Sequence, residues 1–421
     1  MGVEAQVQPL PGQQISVAQQ QEMRVDGLVP AKIMQPGDAE DAARELARCD
    51  RAGACVVVWG GGTQMGLGSP PRRYDVAFST ERMTRLLEYE PGDLTCRVEA
   101  GMPLGELQAT LRARGQRLPL DPPHPERVTV GGMVAANTNG LSRARHGTVR
   151  DWVIGIAVAY PSGKVARAGG KVVKNVAGYD LMKLHTGALG TLGVIVEVNL
   201  KVQTMPEAEH TLLAHFEDQR AALKAGIELA HQYLAPAAMT LMDRTALWKC
   251  GLTADWPWTL ALKLEGYSPE IEPARQASGS IVRAAGGRLE GRAMPEGFWD
   301  QARDWAAPTE ESEALIYGIA ALSGLQALMP VAAAAGSCMV QPAAGVFYLR
   351  VPVESAGAAV ERLRTAAGSE AQVVIARAPV ALKQTLDVWG APPPSFQLMR
   401  SIKGALDPKG ILNPGRFVGG I

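Results

Sequence analysis

The chain has 421 residues, of which 47% are apolar and 20% charged, and its net charge is zero. That length exceeds one ordinary core, so a soluble globular protein of two or more domains is expected. No basic run interleaved with aromatics is present, which argues against a nucleic-acid partner. No apolar run reaches the roughly 18 residues of a transmembrane segment.

The first residues, MGVEAQVQPLPGQQISVAQQQ, lack the basic start and apolar centre of a secretory signal. Gln6 stands where a myristoylation pattern needs Ser or Thr. Their glutamines and prolines predict a flexible tail over 1–22. Cys49, Cys55, Cys96, Cys250 and Cys338 are scattered, and no pair has zinc or iron–sulfur spacing. Reduced buried thiols and a reducing cytoplasm are the expectation.

A first unit begins near Met23. RVDGLVPAKIMQP reads as a strand broken at Pro36-Gly37, after which Asp38 caps a helix with Ala39, Ala42, Ala43 and Leu46 on one face. ACVVVWG is a buried strand ending directly in GGGTQMG, Gly60 to Gly66. YDVAFST is a further strand, and RLLEYEPGDLTCRVEAG a hairpin. The helix PLGELQATLRARG, with Leu104, Leu107 and Leu111 on one face, closes this unit at about 117. A second unit, 118–206, holds GGMVAANTNG (Gly131 to Gly140), the hairpin DWVIGIAVAYPSGKVARA, and the glycine-dense stretch Asn175 to Asn199. From 207 to 378 strands alternate with amphipathic helices, predicting a sheet covered on one face. Residues 379–421 form a helix-rich return through SFQLMRSIKGALDP to the turn ILNPGRF.

The chemistry lies in three glycine-rich segments. GGGTQMG succeeds a buried strand, and consecutive glycines let successive N–H groups line one concavity, a nest suited to a pyrophosphate. A plain tight turn is the alternative. The segment lacks the Gly-Lys-Ser/Thr of a P-loop, and its continuation, Leu67-Gly68-Ser69-Pro70-Pro71, does not open the helix of a dinucleotide fingerprint. In the second segment Gly131-Gly132 would bring backbone against a flat ligand, and Asn137 and Asn139 offer paired donors and acceptors. The alternative is that those asparagines merely close a helix terminus. The third segment packs Gly178, Gly187, Gly190 and Gly193 before a strand of alternating Val and Ile.

In this order and at these separations the three segments resemble the FAD domain of the vanillyl-alcohol oxidase family, the PCMH-type flavoproteins. The resemblance implies an α+β fold: a two-subdomain FAD-binding domain (23–206) under a ferredoxin-like cap (207–378), with 379–421 returning to the FAD domain. It implies cofactor contacts from Gly60, Gly61, Gly62, Thr63 and Gly66, from Gly131, Gly132, Asn137 and Gly140, and from Gly187, Gly190, Thr191, Gly193 and Val194. Asn413, in Asn413-Pro414-Gly415, matches the family's carboxy-terminal turn near the flavin. His146, inside the longer stretch DPPHPERVTVGGMVAANTNGLSRARHG that holds the second segment, is a candidate to face the isoalloxazine, with an ordinary hydrogen-bonded role as the alternative. Thr63 occupies the position where some relatives carry a histidine bonded to the flavin, so FAD bound through this loop is expected to be non-covalent.

Within the family, VDGLVPAKIMQPG, PLDPPHPERVTVGGMVAANTNG and KVVKNVAGYDLMKLHTGALGTLGVIVEV look most like the FAD-binding subunit of bacterial glycolate oxidase. That likeness implies a catalytic flavoprotein partner, an iron–sulfur partner, and glycolate or another small 2-hydroxy acid at the level of the complex. It also implies a cytoplasmic location, or one peripheral to the inner membrane through the complex. Oxidising a hydroxy acid needs a base for the hydroxyl proton. The six histidines (His124, His146, His185, His210, His215, His231) include none after 231, and the metal-binding His-x-His run of catalytic relatives is absent. No catalytic residue is assigned. The alternatives are a self-sufficient oxidase of a hydroxy acid or alcohol and a non-catalytic assembly subunit.

Overall fold

The computed structural model of the protein describes residues 10–170, 179–233, 235–253, 255–290, 294–307, 312–368 and 371–421. Gly178 and the start of the Asn175–Asn199 stretch lie outside the described residues, as do residues 1–9 of the expected tail.

Two sheets build the first domain. Lys32–Met34, Val76–Ser79 and Val56–Trp59 pair in parallel in that order, and Gln13–Gln14 adds antiparallel to the outer edge. The second sheet is antiparallel, in the order Leu86–Glu90, Thr95–Glu99, Val194–Lys201, Val153–Ala159, Val165–Gly169. The helix Ala39–Ala52, capped by Asp38 and ended by Gly53 in the left-handed region, buries Ala42, Ala43, Leu46 and Cys49 between the sheets. Leu104–Arg112 and Val130–Ala136 cover the opposite face of the second sheet. A bulge between Ile195 and Glu197 shifts the alternation of the central strand. Val194 and Val196 therefore reach the helix-side core, while Ile195, Val198 and Leu200 reach the other.

Two expectations are corrected here. The boundary between subdomains falls near 80–85, not at 117, because the 86–99 hairpin pairs with Val194–Lys201 (Glu99 opposite Glu197) and buries Cys96 and Val98 in that sheet's core. Nor is all of 1–22 a flexible tail. Ser16 and Gln19 form a capping box that starts the helix Val17–Glu22, and Gln13 pairs with Ile33. The S-x-x-Q pattern signalled this start beneath a disorder-like composition.

The second domain is an eight-stranded antiparallel sheet made of two ferredoxin-like units instead of one. In the first unit, Ala208–Phe216, Ala238–Asp243, Trp258–Gly266 and Arg288–Glu290 lie in the spatial order fourth, first, third, second, with helices Gln219–Ala230 and Ser268–Ala284 as crossovers. The second unit repeats the pattern with Glu313–Ala320, Ser337–Gln341, Val346–Pro352 and Ala371–Arg377, and helices Leu322–Ala335 and Val353–Ala367. The units join edge to edge where Leu241 meets Val340 and Met242 meets Met339. The four long helices of both units cover one face in a common core, and the short helices Arg244–Lys249 and Phe298–Asp304 pack on the other face together with Leu141 of the first domain. Among the described residues no helix is long and apolar enough to cross a membrane.

The final segment runs back to the first sheet. After the exposed helix Phe396–Leu406, Leu412 bridges Val56 in parallel and Asn413 N–H donates to Val56 O. Asp407, 1% exposed, accepts from the amides of Ile411 and Leu412 and from Lys403 Nζ at 2.7 Å. Lys403 Nζ also reaches Thr191 O and Leu412 O. Asp407→Ala strands a largely buried ammonium and two amides, so urea unfolding should show a loss of about 3–5 kcal/mol.

Candidate functional site

The parallel strand Val56–Trp59 ends in the first glycine loop, so that loop opens at the carboxyl end of a buried sheet, where α/β folds hold ligands. An open cleft lies there. Eight of the residues singled out from the sequence line it together: Gly60, Gly61, Gly62, Thr63, Gly131, Gly132, Gly190 and Gly193. Gly61 admits no side chain, since a Cβ would sit 1.5 Å from Arg127 O, just ahead of the second segment. Gly190 takes φ +66°, and a Cβ there would meet Asn413 Nδ2 at 2.8 Å. The glycines thus serve the close approach of the three segments to one another as much as access for a ligand.

The backbone N–H groups of Gly60 through Met65 donate to no group among the described residues. A run of unpaired amides at the mouth of a cleft is an anion nest. By contrast, the first turn of Val130–Ala136 is already satisfied: Val130 N–H donates to Met102 O, Gly131 N–H to Ala100 O, and Gly132 N–H to Thr129 Oγ1.

The other expected residues stand around the cleft instead of lining it. Gly66 O accepts from Lys383. Asn137 ends its helix in the left-handed region at φ 48°, with Asn139 Nδ2 donating to its carbonyl, which is the helix-closing alternative. Gly140 packs on Asp121, and its carbonyl accepts from Gln341. Gly187 N–H donates to Val134 O, Thr191 Oγ1 donates to Ala188 O, and Val194 pairs with Ala159. Asn413 ties the back of the cleft: Nδ2 donates to Leu189 O at 2.7 Å and Oδ1 accepts from Val58 N–H. Among the lining residues not singled out from the sequence are Trp59, Thr80, Ala100, Leu189, Ile195 and Arg416. Trp59 was signalled by its place before Gly60. Arg416 had only its position after Asn413-Pro414-Gly415.

His146 is placed elsewhere, against the second domain. Its Nε2 is buried 4.0 Å from Glu265, and burial, then the neighbouring Arg117, lowers its pKa to about 4. Arg117 and Lys263 bracket Glu265, and they hold that carboxyl down at about 2 against the opposing effect of burial. His185 is 2% exposed beneath the third segment, joined to Tyr160 OH at 2.8 Å, and burial lowers its pKa to about 4. None of the six histidines lines the cleft. Tyr179, at the start of the third segment's described part, is 92% exposed.

Residues 30–169 match the model of the FAD binding domain, and residues 205–373 and 390–417 that of the FAD linked oxidases, C-terminal domain. The chain is 30% identical over 368 residues to glycolate oxidase subunit GlcE of Escherichia coli, covering 86% of this chain and 92% of that protein. The chain belongs to the FAD-linked oxidases. It is an FAD-dependent oxidoreductase. It is 31% identical over 250 residues to glycolate oxidase subunit GlcD of Bacillus subtilis, covering 58% of this chain and 53% of that protein. It is also 30% identical over 217 residues to D-lactate dehydrogenase of Archaeoglobus fulgidus, covering 51% of this chain and 48% of that protein. It thus spans about half the length of the last two. Among solved structures, p-cresol methylhydroxylase with substrate bound shares the fold at TM-score 0.73 and 16% identity, covering 96% of this chain and 93% of that one.

The cleft fits FAD: the nest of unpaired amides suits the diphosphate, and the apolar walls given by Ala100, Ala135, Leu189 and Ile195 suit a flat ring system. Gly61→Ala should abolish FAD uptake, read as loss of the visible flavin spectrum. Gly92→Ala, in an open turn with nothing within 4 Å, should leave it intact. The buried His185 gives a pH signature. Its folded pKa lies below the ordinary 6.5, so between pH 6.5 and 4 the unfolded chain takes a proton that the folded one refuses. Stability falls through that window by up to about 3 kcal/mol, and His185→Gln should flatten this part of the urea-midpoint profile.

Proposed function

We propose that this chain is the FAD-binding subunit of a glycolate oxidase or dehydrogenase complex, at the stage where electrons from 2-hydroxy-acid oxidation pass to an iron–sulfur partner. The observation that carries the reading is a built cofactor cleft lined by none of the chain's histidines. Bound FAD supplies the redox chemistry. The chain's residues bind it through the Gly60–Met65 amides and exclude water with the walls of the cleft.

The residues after Gly140 pack on the face of the second domain that also carries the short helices Arg244–Lys249 and Phe298–Asp304. Leu141 is buried in one cluster with Leu213, Met339 and Tyr348. Arg143 Nη1 donates to Tyr317 OH at 3.1 Å, and Arg145 Nη1 donates to Glu265 O at 2.8 Å. A hydroxy acid needs a base for its hydroxyl proton and a donor for its carboxylate. Histidines that could act as the base are engaged elsewhere: His185 with Tyr160, His215 with Thr259 and Glu290, His231 with Ile227 O. Substrate oxidation is therefore assigned to the catalytic flavoprotein partner. The likeness to GlcE over nearly the whole of that protein supports a place within a multi-subunit assembly, in the cytoplasm or held at the inner membrane by its partners.

The test is spectroscopic. The purified chain should be yellow, or become so with added FAD, and glycolate should leave its flavin band unchanged until partner subunits are supplied. Bleaching of the isolated chain by glycolate would overturn the reading.

A further inference from the structure

The carbonyls at the end of the loop of unpaired amides, Met65 to Leu67, are fastened from behind. Arg416, 4% exposed, donates through Nη2 to Met65 O and Leu67 O, both at 2.7 Å. Lys383, whose side chain is fully buried, donates through Nζ to Gly66 O at 2.5 Å and to both oxygens of Asp26, at 2.8 and 3.0 Å. Three successive carbonyls are thus turned onto two buried cations that arrive from the far end of the chain. The aliphatic part of Arg377 lies beside Gly66.

Arg416 also lines the cleft, and its Nε is a buried donor with no acceptor among the described residues. Buried donors are almost always paired, so an orphan of this kind marks the place of an absent acceptor. Guanidinium groups bind diphosphate oxygens through strong charge-assisted hydrogen bonds.

We propose that Arg416 and Lys383 form a cationic clamp that sets the Gly60–Met65 loop for the diphosphate of FAD, with Arg416 Nε donating to it directly. Arg416 is then a cofactor-binding residue, and Lys383 with Asp26 is a positioning pair that keeps the loop's carbonyls turned from the ligand. The clamp rests on the assignment of FAD to this cleft and adds the residues that discriminate its charged half.

The experiment titrates the full-length apoprotein with FAD and with riboflavin, which lacks phosphates, following flavin fluorescence. Arg416→Gln should weaken FAD by about tenfold or more, the range of a lost charge-assisted contact, and riboflavin by less than about twofold. Equal weakening of both, or no change in either, overturns the clamp while leaving the FAD assignment standing. A wild-type chain that binds neither overturns both. Should Arg416→Gln fail to fold by circular dichroism, the wild-type chain decides. Inorganic pyrophosphate should then displace FAD and raise the apoprotein's melting temperature, and failure to displace it overturns the clamp.

Discussion

The first domain depends on Asn413, a side chain that is 1% exposed and sits more than two hundred residues from everything it holds. Its amide joins the strand leading into the first glycine loop to the carbonyl of Leu189 in the third segment. Beside it, Asp407 and Lys403 bind Leu412 and Thr191 into the same buried knot. Buried polar groups of this kind are costly unless every member is paired, which fixes one arrangement of the segments and excludes its neighbours. The cofactor cleft is therefore the product of a closure, and the glycines are what allow the closed parts to touch.

Much of the site was legible because its signal is local. A buried strand running straight into three glycines declares a loop that needs backbone freedom, and Gly131-Gly132 behind Thr129 declares a close approach. The subdomain boundary was not legible, because Thr95–Glu99 finds its partner, Val194–Lys201, about a hundred residues downstream and nothing in either strand names the other. Arg416 and Lys383 were silent for a related reason. Their acceptors include backbone carbonyls, which every residue carries, so the pairing leaves no mark on composition or spacing. Ala238–Asp243 and Ser337–Gln341 escaped because Met, Ala and Cys carry little strand preference. Those two strands are the ones that join the halves of the second domain.

That seam gives the second domain its use. Each four-stranded unit covers one face with two long helices, and joining the units makes one broad second face that the short helices Arg244–Lys249 and Phe298–Asp304 cover only in part. A surface of that kind must be buried. Here the Gly140–His146 segment fills it with Leu141, Arg143 and Arg145, and Tyr317, Gln341 and Glu265 answer from the sheet. The segment after the second glycine run is thus both a wall of the first domain and the seat of the second.

The late arrival of Asn413 and Arg416 has a consequence for synthesis. As the chain leaves the ribosome, the strands and glycine loops of the first domain emerge early, while the residues that lock them come only after the whole second domain has been made. The contacts that close the three segments on one another through Asn413 can therefore form only once the second domain has been made.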